Sequence, residues 1–95
     1  MDKIEQLLVI TMEECGELIQ VCSKALRKRD MNGGQIPDTA LEKLTSEAAD
    51  VRAMIYLMNR HGLITTEGVE AGMNRKLEKL KQWSDLVQQP KTSGD

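Results

Sequence analysis

Two pairs of acids carry the clearest chemical signal in the chain: Glu14 and Glu17 in MEECGELIQ, and Glu47 and Asp50 in TSEAADVRAM. Each pair is spaced i, i+3, so its members share one face of a helix. At about 100° per residue, Glu14 falls among Leu7, Ile10 and Val21, with Glu17 at the edge of the apolar sector. Glu47 falls beside Leu44 and Met54 in the same way, with Asp50 at the edge. Carboxylates brought together and partly removed from water repel, and a buried unpaired charge is costly. A hard divalent cation with oxygen ligands, Mg²⁺ above all, is the natural counter-charge. The bland alternative is two solvated helix faces whose acids form salt bridges with Lys24, Lys43 or Arg52.

Other chemistries lack their parts. The one histidine, His61, has no acid three residues before it, as a helical di-iron site requires. It precedes Gly62 and reads as a helix-end residue. A zinc ligand set cannot be assembled, and no GxxxxGK[ST] loop is present.

Helices must position these acids. The first is predicted at about 2–29, with Asp2 as N-cap and a stripe of Ile4, Leu7, Leu8, Cys15, Leu18, Cys22, Ala25 and Leu26. The breakers in DMNGGQIP make a loop. A second helix runs to about Arg60, capped by Asp38 or Thr39, with Leu41, Leu44, Ala48, Val51, Ile55 and Met58 as its stripe. A third starts at Thr65 or Thr66 and runs to about Gln88, weakened early by Gly68 and Gly72. Its stripe is Val69, Met73, Leu77, Leu80, Ser84 and Val87. The fold class is therefore all-α: a long antiparallel hairpin plus a third helix, completed as a bundle by homodimerisation. Residues 1–88 form one domain and 89–95 a disordered tail.

Composition narrows the function classes. Thirteen basic and fifteen acidic residues give a net charge of −2, which predicts no broad nucleic-acid face. No apolar run approaches the roughly 20 residues of a membrane span, and the N-terminus does not read as a signal peptide. Cys15 and Cys22 would lie roughly 10 Å apart along one helix, beyond the about 7 Å that a disulfide tolerates. Reduced, buried thiols in a cytoplasmic protein are the simplest reading.

EECGE at 13–17 followed by EAAD at 47–50 resembles the EExxE…ExxD signature of the all-α nucleoside triphosphate pyrophosphohydrolases, the MazG-like group related to dimeric dUTPases and dCTP pyrophosphatases. The likeness extends over about residues 4–83, including NRKLEKLKQW at 74–83. It implies Mg²⁺-dependent hydrolysis between the α and β phosphates, giving a monophosphate and pyrophosphate. It implies metal ligands at Glu14, Glu17, Glu47 and Asp50, with Glu13 on a further Mg²⁺ or a water. It also implies a homodimer, or a tetramer as a dimer of dimers.

Glu13 or Glu17 would accept the proton of the attacking water. Lys76, whose angle puts it in the apolar sector of the third helix, is a candidate phosphate ligand. Asn74, Arg75 and Lys79 follow it, and Lys24 and Lys28 share a side of the first helix with Glu17. Trp83 reads as a core or interface residue, with base stacking the sharper alternative. The rival functions are a helical interaction protein binding a partner through its Met-rich stripes, and a nucleotide binder without turnover.

Overall fold

The computed structural model describes residues 1–87; the tail expected at 89–95 lies outside them. The described chain is all-helical: α1 is Lys3–Met31, α2 is Asp38–Arg60 and α3 is Thr66–Trp83. It falls into two compact units, Met1–Leu63 and the segment from Ile64 onward.

The first unit is the hairpin of α1 and α2, packed against each other. Asp2 caps α1 by accepting from the Glu5 N–H at 2.7 Å. The helix runs two residues past Arg29 and ends where Gly34 N–H reaches back to Arg29 C=O at 2.9 Å. The expected side-chain cap of α2 is absent. Pro37 holds the N-cap position without a side-chain bond, its carbonyl accepting from Ala40 and Leu41, and Asp38 is already helical. α2 ends in a Schellman motif: Leu63 N–H bonds Met58 C=O and Gly62 N–H bonds Asn59 C=O, with Gly62 at φ 76°.

In α1 the buried and half-buried side chains are Leu7, Thr11, Glu14, Leu18, Val21, Ala25 and Lys28. In α2 they are Ala40, Leu44, Glu47, Val51, Met54 and Met58, with Asn59 beside them. Both sets alternate steps of four and three, the heptad seam of two helices packed at a shallow angle. The buried members are Leu7, Ala25, Ala40 and Met54. The expected α1 stripe is corrected in part. Leu7, Leu18 and Ala25 face α2, but Ile4, Leu8, Cys15, Cys22 and Leu26 are exposed in the single chain. The cysteines are therefore free, exposed thiols rather than buried ones.

In the second unit, Thr65 caps α3, its hydroxyl accepting from Gly68 N–H at 3.0 Å. The helix starts at Thr66 despite both glycines. A Cβ on Gly68 would stand 2.8 Å from that hydroxyl, so the cap needs a glycine there. α3 stops at Trp83, short of Gln88, where Ser84 turns extended and its hydroxyl donates to Leu80 C=O. Of the expected stripe, Val69, Leu80, Ser84 and Val87 are half-buried, while Met73 and Leu77 are exposed. No described helix is long and apolar enough to cross a membrane.

Candidate metal centre

The acids occupy the middle of the hairpin seam. Glu14 and Glu47 take core positions of the heptad, where their neighbours one turn away are Thr11, Leu18, Leu44 and Val51. Glu17 and Asp50 stand three residues further on, at the solvent edge of the same face. Because the helices are antiparallel, Glu14 comes opposite Asp50 and Glu17 opposite Glu47. One carboxylate oxygen from each of the four residues lies within 4.8 Å of all the others.

Such a set is electrostatically incomplete. Glu14 Oε2 and Glu47 Oε2 are shielded from solvent and have no hydrogen-bond partner. Among the described residues the ion pairs are Arg29–Asp30 and Lys81–Glu78. Neither Lys24, Lys43 nor Arg52 pairs with the four acids, so the salt-bridge alternative is not realised. Burial raises the Glu14 carboxyl above the ordinary range, and the charges of Glu17, Asp50 and Glu47 and a carboxyl hydrogen bond with Asp50 push it the same way. Glu47 is likewise raised, first by burial and then by the charge of Glu17, a hydrogen bond with it, and the charge of Asp50. All-oxygen donors with two orphaned oxygens suit a hard divalent cation. Opposite ligands stand about 4.2 Å apart around Mg²⁺ and about 4.6–5.2 Å apart around Ca²⁺.

The surrounding residues sort by unit. Glu13 is exposed, one turn before Glu17 on α1, and is not one of the four clustered acids. Lys24 lines a groove of about 350 Å³ that also takes in Glu17, Lys28, Lys43 and Glu47. The lysine that sequence reasoning missed is Lys43, weighed only as an ion-pair partner. Its position seven residues before Asp50 was the available signal, since that spacing returns to one helix face. Asn74, Lys76 and Lys79 are exposed residues of α3, in the second unit. Lys76 is not drawn into the apolar side of α3. Arg75 and Trp83 are exposed too, and His61 is the exposed C-cap of α2.

No protein-family model matches the chain, and no curated protein or solved structure matches it significantly.

Proposed function

We propose that this chain is a Mg²⁺-dependent nucleoside triphosphate pyrophosphohydrolase, releasing a monophosphate and pyrophosphate. The observation that carries the reading is the set of four carboxylate oxygens within 4.8 Å, contributed equally by two helices and without a basic partner among the described residues. The EExxE…ExxD pattern supports it from the sequence side. Glu14, Glu17, Glu47 and Asp50 hold the cation. Mg²⁺ bound there neutralises phosphate charge and lowers the barrier to attack by water. Glu13 or Glu17, at the wet edge of the site, takes the water's proton. Lys24 meets phosphate from the groove. The helical frame holds the carboxylates rigidly, as such positioning demands.

We further infer that the protein works as a cytoplasmic homodimer. On α1, Leu8, Met12, Cys15, Ile19, Cys22 and Leu26 repeat one position after the seam; Leu41, Ala48 and Ile55 do the same on α2. In an antiparallel pair these positions fall on one side, opposite Glu17 and Asp50. Ile19 is 69% and Met12 66% exposed, an apolar face that a second copy would cover. The same stripe favours the rival reading, a non-catalytic module that docks a partner helix. Purified protein with Mg²⁺ and a panel of triphosphates, assayed for pyrophosphate and orthophosphate separately, distinguishes them. Pyrophosphate release supports hydrolysis; no release from any triphosphate leaves the docking module.

A further inference from the structure

The acid face of the hairpin carries more than acids. On α1 the solvent-edge positions three residues after the seam are Ile10, Glu17 and Lys24; on α2 they are Lys43, Asp50 and Leu57. Seven residues make nearly two full turns, so each trio stacks along one face, about 10 Å between members. The antiparallel pairing sets Ile10 towards Leu57, Glu17 towards Asp50 and Lys24 towards Lys43. The surface hollows agree with this pairing. Leu7, Ile10, Met54 and Leu57, with Lys3, Gln6 and His61, line a hollow of about 190 Å³ at one end. Lys24, Lys28 and Lys43 line the groove at the other, which begins at Glu17 and Glu47. One face thus runs from an aliphatic hollow with Lys3 among its lining, past the acids, to a groove with three lysines.

We propose that this face is a polarised nucleotide track: nucleoside in the hollow of Ile10 and Leu57, α-phosphate over the acids, terminal phosphates over Lys24 and Lys43. The assignment rests on the nucleotide reading above and deepens it by fixing which way the substrate lies. Among the described residues neither lysine has an acid within ion-pair distance, although Lys43 sits one turn before Glu47. They are free to take the most highly charged end of the ligand. The opposite orientation would set the terminal phosphates against Ile10, Met54 and Leu57 with Lys3 as the one lysine of that hollow, where the groove offers three. The apolar hollow instead accepts a flat ring. Its rim supplies the His61 imidazole and the Gln6 amide oxygen as polar contacts, the Gln6 Nε2 already donating to Met1 C=O at 3.1 Å.

The test separates the two ends of the ligand. Full-length protein is titrated calorimetrically, with Ca²⁺ replacing Mg²⁺ to suppress turnover, against tripolyphosphate and against the 5′-monophosphates of the five common nucleosides. The double variant Lys24→Gln, Lys43→Gln loses roughly tenfold or more in tripolyphosphate affinity, while the best monophosphate binds as before. Leu57→Gln does the reverse. In methyl NMR spectra of the unaltered protein, the monophosphate shifts the Ile10 and Leu57 signals and tripolyphosphate does not. That measurement needs no variant to fold. The track is overturned if the lysine variant weakens both ligands equally, if the pattern is inverted, or if neither ligand binds. Pyrophosphate release together with an inverted pattern removes the track and keeps the hydrolase. The expected pattern without any turnover removes the hydrolase and keeps the track.

Discussion

At the scale of single residues, Glu14 and Glu47 hold oxygens out of water with nothing to bond them. Two consequences are measurable. Glu14→Gln and Glu47→Gln each keep the helical circular dichroism but lose turnover. The loss should exceed the roughly 100-fold that even a residue merely supporting a metal ligand costs. The second consequence concerns pH. Both carboxyls are raised in the folded chain, chiefly by burial and then by neighbouring acids. The native chain therefore holds their protons after the unfolded chain has released its own. As pH rises from the unfolded carboxyl pKa through the raised folded one, the metal-free protein loses stability. Thermal melts from pH 4 to 8 without metal should fall over that window. The fall should be shallower in Glu47→Gln, and Mg²⁺ should restore the wild type more than the variant. Equal Mg²⁺ shifts in both proteins would mean that the ion binds elsewhere.

At the scale of elements, the termini depend on single groups. Gly62 closes α2 at φ 76°, where a side chain meets the backbone. Gly62→Ala should lower stability by about 1–2 kcal/mol, read from urea unfolding. Thr65→Ala should cost about 1 kcal/mol of α3 stability by removing the hydroxyl that receives Gly68 N–H. The helices themselves were legible from breakers, caps and periodicity, and so were the four acids, because i, i+3 spacing fixes a shared face whatever that face packs against. Half of the expected α2 stripe, Leu41, Ala48 and Ile55, is exposed, and the packed face of α1 was not legible. Its seam contains Thr11, Glu14 and Lys28, which dilute the apolar signal, while the next stripe over, through Leu8, Cys15, Cys22 and Leu26, is more uniformly apolar. Periodicity favours the purer stripe, and the two differ by one residue. The seam also accommodates its polar members locally: Thr11 donates to Leu7 C=O at 2.7 Å. Proline-led entry into α2 escaped notice because Asp38 and Thr39 are both good capping types.

For the whole molecule, the residues buried in the hairpin seam are Leu7, Ala25, Ala40 and Met54, and two of these are alanines. So thin a core leaves a wide apolar stripe without cover. Sedimentation at micromolar concentration should find a dimer, and Ile19→Glu, which places a charge in the stripe far from the acids' side of α1, should shift it to monomer. Cys15 and Cys22 lie on the same stripe, so thiol labelling should be slower in the assembled protein than in that variant. The central claim is tested most directly by the products of catalysis. Wild type and Glu47→Gln are incubated with Mg²⁺ and each ribo- and deoxyribonucleoside triphosphate, with pyrophosphate, orthophosphate and monophosphate quantified. The account predicts monophosphate and pyrophosphate in equal amounts from at least one substrate, abolished in the variant and by chelation of Mg²⁺. Release of orthophosphate and a diphosphate instead, or equal product from both proteins, would contradict it.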